Sequence, residues 1–180
     1  MKEGKPYSNM KSDVHATTWL KPGQVEQMRD VCLIEAFPTY LQDRNEEIVA
    51  LLYDLGLRAS ELCGLDVDHV DLEAKTVFLP SRIQKGEPIP ATLELGKWGA
   101  DASRPLRRYL NRRWKDTDAL FPTRSSDRLT TRSLQRPVAK LPTEANVRPQ
   151  AAGGGIGEPA DLTPQHQRHS LAYRHSQLAG

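Results

Sequence analysis

Three short stretches of this 180-residue chain carry residue types that bind anions, transfer protons or ligate metal ions. Arg58 and Glu61 lie three residues apart, and Lys85 occupies a glycine-containing turn. Further along, Gln165 precedes a histidine-rich run that includes Arg168. Each stretch taken alone also has an ordinary explanation. A spacing of three on a helix suits a surface ion pair, and a lysine in a turn is commonly just solvated.

The histidines of the last stretch, His166, His169 and His175, raise the question of a metal site. His166 and His169 are about one helical turn apart, but a zinc site needs a third or fourth ligand at fixed geometry. Neither Cys32 nor Cys63 lies near them in sequence, so we expect no metal. Both cysteines fall in apolar, helix-like stretches, which is typical of reduced core residues.

The net charge of +2 conceals a basic middle segment. Residues 97–140 hold 12 Lys and Arg against 4 Asp and Glu, whereas residues 1–96 hold 10 against 16. This asymmetry suggests a surface for an anionic polymer such as nucleic acid, although a solvated helix face explains it equally well. No window approaches 18 consecutive apolar residues and no signal peptide is visible. We therefore expect no membrane span and a cytoplasmic location.

The basic segment contains a predicted amphipathic helix over residues 103–115. Its apolar residues Leu106, Leu110 and Trp114 recur on one side. At 100° per residue, four basic residues fall on the opposite side. These candidate DNA-binding residues are Arg104, Arg108, Arg112 and Lys115.

Helices and a small sheet are expected to position the three stretches. Apolar periodicity predicts helices over residues 22–36, 41–55 and 59–63, with Gly56 ending the second. A small antiparallel sheet is expected around the Lys85 turn, from residues 76–79 continued by residue 83 and residues 89–93. Nearby prolines limit these to edge strands; they are Pro80, Pro88 and Pro90.

The last third of the chain is expected to be more irregular. Thr130 could cap a helix, which Pro137 would interrupt near Arg136. Residues 141–161 show no periodicity and are expected to form a flexible loop. A final helix is expected to begin near Pro164.

The order and spacing of the three stretches resemble the catalytic domain of the tyrosine recombinase, or phage integrase, family. The stretches are Gly56-Leu57-Arg58-Ala59-Ser60-Glu61-Leu62, Gln84-Lys85-Gly86 and Leu162-Thr163-Pro164-Gln165-His166-Gln167-Arg168-His169-Ser170. The resemblance runs from about Trp19 to Arg174. It implies a mainly α fold with a small antiparallel β-sheet (α+β). It also implies breakage and rejoining of duplex DNA without a metal or nucleotide cofactor.

The resemblance assigns a role to each candidate residue. Arg58 and Arg168 match two arginines that donate forked hydrogen bonds to the non-bridging oxygens of a DNA phosphodiester. Lys85 matches a general acid for the leaving 5′-oxygen, and Glu61 matches an acidic residue that orients the first arginine. Gln165 stands where the family has a histidine. It can donate a hydrogen bond but cannot shuttle a proton near neutral pH.

The resemblance is incomplete at the end of the chain. The family's nucleophilic tyrosine lies several tens of residues beyond the second arginine, and only 12 residues follow Arg168. After a polar tail over residues 1–17, we expect residues 18–180 to form a C-terminally incomplete catalytic domain that is inactive alone. Three hypotheses stay open: a recombinase whose tyrosine comes from a full-length recombinase or another protomer on DNA, a non-catalytic DNA-binding regulator, and a decayed remnant.

Overall fold

The computed structural model describes residues 18–34, 37–84, 89–97, 101–147 and 150–151. Two 3-10 turns, Val67–His69 and Ser81–Ile83, accompany the regular elements in this part of the chain. The described helices and strands are β1 (Thr18–Trp19), α1 (Pro22–Cys32), α2 (Thr39–Leu55), α3 (Ala59–Gly64), β2 (Val70–Asp71), β3 (Thr76–Leu79), β4 (Ala91–Glu94), α4 (Ser103–Arg112), α5 (Thr131–Glu144) and β5 (Gln150–Ala151). They confirm the predicted fold class, mainly helical with a small antiparallel sheet.

Helix α1 is shorter than predicted. It begins at Pro22 as expected but ends at Cys32, four residues before the predicted end. The N–H of Leu33 donates to Asp30 O at 3.0 Å, three residues back instead of four, and this turn closes the helix. Leu33 and Ile34 are 40% and 49% exposed, so burial does not favour a longer helix there.

Helices α2 and α3 agree closely with the sequence prediction. Gly56, directly after α2, has φ 61°, a left-handed conformation that glycine adopts at little cost. Its N–H donates to Leu52 O at 3.1 Å and closes the helix. The buried Leu57 follows, and α3 begins two residues later, at Ala59. The short connection fixes the start of α3 relative to the end of α2.

The predicted sheet exists, but its strands are arranged differently. The order is β2-β3-β4, all antiparallel, with Val77 opposite both Val70 and Leu93. Strand β3 is therefore central, and the prediction of an edge strand is wrong. Pro80 lies just beyond its last residue and removes no ladder hydrogen bond from it. Ile83, predicted to be extended, lies in a 3-10 turn.

Helix α5 runs through Pro137, where an interruption was predicted, and also contains Pro142. Thr130 caps it as predicted, because its hydroxyl oxygen accepts the N–H of Ser133 at 3.2 Å. A proline inside a helix costs about 3 kcal/mol in isolation. Packing offsets this cost, because α5 contacts α1, α2 and α3 through a buried face. That face consists of Leu134, Val138, Leu141 and Pro142.

The predicted loop over residues 141–161 is wrong in its first part. Residues 141–144 are helical, Val147 is buried, and β5 pairs with β1. The rest of that loop lies outside the described residues, as do the polar tail and the helix predicted near Pro164.

The core lies between the helices and one face of the sheet, and it includes both cysteines. Cys32 and Cys63 are free thiols, and burial raises the pKa of each to about 12. They are inert core residues at neutral pH, as predicted. Within the described part of the chain, no helix is long and apolar enough to cross a membrane.

Candidate functional site

Arg58 is held at the N-terminus of α3 by Glu61. Arg58 has extended backbone angles and caps the helix, and its N–H donates to Glu61 Oε2 at 2.7 Å. Arg58 Nη1 lies 3.6 Å from Glu61 Oε1. The Glu61 side chain is 1% exposed and that of Arg58 is 35% exposed. Because the carboxylate is buried, this is not the surface ion pair that the spacing alone would suggest.

The capping arrangement places the Arg58 guanidinium beside Glu61 on a partly exposed side chain. A buried carboxylate that accepts the backbone N–H fixes the start of α3 and keeps negative charge beside the arginine. The Arg58 side chain is partly exposed, and a guanidinium group is suited to binding an anion. The predicted pairing of Arg58 with Glu61 is therefore present in the structure.

Asp66 joins the far end of α3 to two distant segments. Arg128 hydrogen-bonds Asp66 Oδ1 and also donates to Cys63 O at 3.2 Å and Leu65 O at 3.1 Å. Arg82 Nη2 lies 2.6 Å from Asp66 Oδ2. Burial raises the pKa of Asp66, but the Arg128 hydrogen bond and the neighbouring positive charges outweigh it and lower that pKa overall. Asp66 therefore stays ionised and connects both segments to α3.

Asp66, Asp68 and His69 place ligand-type atoms within 4.8 Å of one another, but their contacts do not suit a metal ion. Two guanidinium groups already bind the Asp66 carboxylate. His69 Nδ1 accepts the Asp66 N–H at 3.0 Å, and Asp68 is well exposed. We interpret this cluster as an ion-pair network around Asp66.

Most of the candidate DNA-binding residues are paired with carboxylates. Helix α4 ends at Arg112, so Lys115 lies beyond it, and Lys115 Nζ is 2.7 Å from Asp127 Oδ1. The remaining pairings join α4 to α2: Arg108 Nε lies 2.9 Å from Asp43 Oδ1, and Arg112 Nη1 lies 3.3 Å from Asp43 Oδ2. Arg104 is exposed and has no carboxylate oxygen within 4 Å among the described residues.

The pairings of α4 belong to a chain of alternating charges across three helices. Arg29 of α1 contacts Glu46 of α2 at 3.0 Å, Glu46 contacts Arg108, and Arg108 contacts Asp43. Glu26 and Arg112 extend the chain at its two ends. The side chains of Glu46 and Asp43 are 4% and 17% exposed. Sequence periodicity could not reveal this chain, because its members on α2 and α4 are more than 60 residues apart.

A second buried carboxyl on α2 has no such partner. Glu47 is fully buried, and neither of its carboxyl oxygens accepts a hydrogen bond from any described residue. Burial raises its pKa well above the ordinary value; the charge of Arg29 opposes the rise and that of Asp54 adds to it. Since the folded-state pKa exceeds the unfolded one, ionisation of Glu47 opposes folding. This side chain therefore lowers stability as pH rises from the unfolded pKa towards the folded pKa.

We expect Glu47→Gln to reduce the loss of stability at high pH. Glutamine has nearly the same shape and stays neutral, so the variant should match the native chain near about pH 4 and exceed it near about pH 9. A gain of about 1 kcal/mol raises Tm by roughly 2–4 °C in a chain of this size. Thermal unfolding followed by circular dichroism across this pH range measures the difference in Tm between the variant and the native chain. Glu144→Gln is the control, because Glu144 is exposed. The prediction would be contradicted if the difference in Tm between Glu47→Gln and the native chain did not increase with pH.

Three of the sequence-predicted site residues lie outside the described residues: Lys85, Gln165 and Arg168. The same holds for His166, His169 and His175. The structure therefore establishes the surroundings of Arg58 and Glu61. It also describes the chain on both sides of the Lys85 turn, up to Gln84 and from Ile89. The roles of all five residues stay predictions.

The sequence matches a known family model over most of its length. The model is that of the phage integrase family, and it matches residues 18–177. The tyrosine recombinase XerC of Azotobacter vinelandii is 33% identical over 136 residues, which cover 74% of this chain and 39% of the relative. The chain thus spans about two fifths of the length of this relative.

Solved structures share the fold at lower sequence identity. The crystal structure of XerA recombinase has a TM-score of 0.64 at 22% identity, covering 90% of this chain and 52% of that one. The Tn1549 transposon integrase in complex with transposon right end DNA has a TM-score of 0.68 at 18% identity, covering 95% and 57%. These similarities confirm the fold that the sequence predicted.

Proposed function

This chain belongs to the phage integrase family, and from that premise we propose that it binds duplex DNA and takes part in site-specific recombination. The observation that carries the proposal is the setting of Arg58. Its backbone N–H donates to the buried Glu61, and its side chain, which is 35% exposed, places the guanidinium beside that carboxylate. A guanidinium placed in this way can donate two parallel hydrogen bonds to the oxygens of a DNA phosphate.

The proposed reaction breaks and rejoins a DNA strand through a covalent intermediate. A tyrosine hydroxyl attacks the phosphodiester and loses its proton to solvent, and the phosphate becomes bonded to the tyrosine oxygen. The bond from phosphorus to the 5′-oxygen breaks, and that oxygen leaves with a proton from Lys85. Arg58 and Arg168 stabilise the charge that builds up on the non-bridging oxygens. Gln165 contributes a hydrogen-bond donor. Because the phosphotyrosine keeps the bond energy, attack by a second strand reverses the step and needs no nucleotide cofactor.

We propose that a full-length recombinase or another protomer on the DNA supplies the tyrosine to these 180 residues. Tyr109 is unsuited to the role. Its hydroxyl donates to Leu120 O at 2.8 Å, its ring stacks on Phe121, and burial raises its pKa to about 12. In this proposal these 180 residues contribute the phosphate-binding residues. We place this activity in the cytoplasm.

A complementation assay tests the proposal. The chain is mixed with a full-length XerC-type recombinase that keeps its tyrosine but carries a substitution at its own first arginine. The substrate is a nicked duplex from which the short strand bearing the new 5′-hydroxyl dissociates, so the covalent adduct cannot reverse. We expect a denaturant-stable protein–DNA adduct that needs both proteins. No adduct above the level of the recombinase alone would overturn the proposal of catalysis.

A non-catalytic DNA-binding regulator is the second candidate. Gln165 favours it, because a glutamine cannot take the proton-transfer role of the histidine that the family has at this position. This candidate predicts duplex binding without any adduct in the complementation assay. Absence of both binding and adduct would instead favour a decayed remnant, and a cooperative thermal transition would argue against that reading.

A further inference from the structure

A cleft of about 570 Å³ lies between α4 and the turn that joins β2 to β3. Its lining includes Lys75 on the turn, Asp101 just before α4 and Arg104 in the first turn of that helix. Neither Arg58 nor Glu61 lines the cleft. It is therefore a different surface from the candidate site at the start of α3.

Much of the positive charge in the cleft is already compensated by carboxylates. Arg107 Nη2 lies 3.2 Å from Glu73 Oε1, and the Asp43 carboxylate contacts both Arg108 and Arg112. All three of these arginines line the cleft, but each has a carboxylate partner within the chain. They leave little charge for a further anion.

The two remaining cations of the cleft, Lys75 and Arg104, face a single carboxylate. Lys75 Nζ lies 3.8 Å from Asp101 Oδ2, and Arg104 has no carboxylate oxygen within 4 Å among the described residues. Hydrogen bonds from Ser103, together with the charges of the two cations, lower the pKa of Asp101 against the effect of burial. Two positive charges and one negative charge leave one positive charge uncompensated.

The turn that carries Lys75 has a fixed backbone. Asp71 Oδ1 accepts the N–H groups of Glu73 at 2.9 Å and Ala74 at 2.8 Å, and Lys75 O accepts the N–H of Leu95 at 2.9 Å. Lys75 has φ 53°, a left-handed conformation that is uncommon for a residue other than glycine. Its side chain is nevertheless 60% exposed. The turn therefore holds the lysine in place without burying it.

The start of α4 is fixed by the buried Asp54 of α2. Asp54 Oδ2 accepts the N–H groups of Gly96 at 2.8 Å and Ala102 at 3.2 Å. Ala102 directly precedes α4, so these hydrogen bonds fix the backbone close to Arg104. Asp54 is also only four residues before Arg58. The cleft and Arg58 therefore both lie near the C-terminal end of α2.

We propose that Lys75 and Arg104 together bind one phosphate of the DNA backbone in this cleft, an inference that rests on the proposed binding of duplex DNA. A phosphodiester carries one negative charge, which matches the one uncompensated positive charge. Lysine binds phosphate as a point charge, and arginine adds a fork of hydrogen-bond donors. Each DNA strand carries a phosphate about every 3.4 Å along the axis, so a duplex near the end of α2 presents several phosphates there.

Fluorescence anisotropy of a labelled duplex at several salt concentrations tests this inference on the full chain. One neutralised phosphate contributes about 0.9 to the slope of log affinity against log salt. Lys75→Gln and Arg104→Gln each leave one cation facing Asp101, so no uncompensated charge remains in the cleft. Each variant should bind roughly three- to tenfold more weakly at about 100 mM salt and lower the slope by about 1.

The double variant Lys75→Gln/Arg104→Gln tests whether the two cations share one phosphate. Its slope should also fall by about 1, because the same phosphate contact is lost. Lys97→Gln is the matched control: Lys97 Nζ lies 3.3 Å from Glu94 Oε2 and its side chain is 48% exposed, but it does not line the cleft. We expect this control to bind with the native affinity and slope.

The outcomes separate the inference from the function on which it rests. If the native chain binds duplex in a salt-dependent way and both single variants bind equally well, the cleft site is overturned while DNA binding stands. A fall of about 2 in the slope of the double variant would overturn the shared phosphate. If the native chain binds no duplex even at low salt, the proposed function fails and the inference fails with it. Circular dichroism melts of all variants exclude unfolding as the cause.

Discussion

Arg108→Glu should lower the stability of the chain by about 2–4 kcal/mol and its Tm by roughly 5–15 °C. Arg108 lies between Asp43 and Glu46, and the Glu46 side chain is only 4% exposed. The substitution removes the cation and adds a third carboxylate to this partly buried group. The carboxylates then repel one another, and the buried Glu46 loses a positive charge that compensated it. Both effects destabilise the folded chain. Thermal and urea unfolding followed by circular dichroism measure the effect.

The neighbouring Arg107→Glu is the matched control. It makes the same change on the same helix, but its partner Glu73 is 89% exposed, so we expect a loss below about 1 kcal/mol. High salt should reduce the loss of stability caused by Arg107→Glu by a larger fraction than the loss caused by Arg108→Glu, because exposed charges are screened more strongly. Equal destabilisation by the two variants would contradict the structural role of the charge chain.

Arg58→Lys should slow formation of the covalent adduct in the complementation assay by about 100- to 1000-fold. Lysine keeps the positive charge, but it cannot form the planar fork that donates two hydrogen bonds to phosphate oxygens. These hydrogen bonds gain strength as charge builds up in the transition state, so the loss falls mainly on the chemical step. Duplex affinity should change by less than about threefold, because the number of neutralised phosphates is unchanged.

Single-turnover rates measured at saturating protein separate a loss in the rate of adduct formation from a loss in duplex affinity. Arg107→Lys, a charge-conserving change outside the proposed site, should leave both the rate and the affinity unchanged. The assignment of Arg58 would be wrong if Arg58→Lys formed adduct at the native rate. A parallel loss of affinity and rate would indicate that Arg58 contributes to DNA binding in general and has no special role at the reacting phosphate.

Local sequence patterns predicted the features that depend on neighbouring residues. Periodicity and Gly56 identified α2 and its end, because both signals lie within the helix and its cap. The spacing of Arg58 and Glu61 identified their contact for the same reason. The sequence could not reveal that Glu61 is buried, since burial depends on elements packed around α3.

The errors arose where tertiary packing decides the outcome. Periodicity grouped the basic residues of α4 correctly, but it could not show that Asp43 and Glu46 of α2 lie against two of them. Pro137 was expected to break α5, yet the buried face of that helix outweighs the local preference. The contact between Asp66 and Arg128 spans 62 positions and has no local signal.

The structure also changes which substitution best tests DNA binding. Reversing the charge of Arg108 and Arg112 would disturb the pairing of α4 with α2, so a loss of binding could reflect loss of the fold. Arg104 is exposed, and its charge helps to lower the pKa of Asp101. No carboxylate oxygen of the described residues lies within 4 Å of it, so we expect reversal of its charge to change stability little. It is the member of the predicted DNA-binding set that the structure leaves most available to a phosphate.

Binding of a labelled generic duplex at several salt concentrations, for the native chain and Arg104→Glu, shows whether this chain acts on DNA. Displacement of counterions from DNA predicts that the native affinity falls steeply and linearly in log–log form with rising salt. Arg104→Glu should bind roughly tenfold more weakly, with a smaller salt slope and an unchanged melting temperature. No binding of the native chain even at low salt, or an affinity that does not respond to salt, would contradict the proposal that this chain acts on DNA.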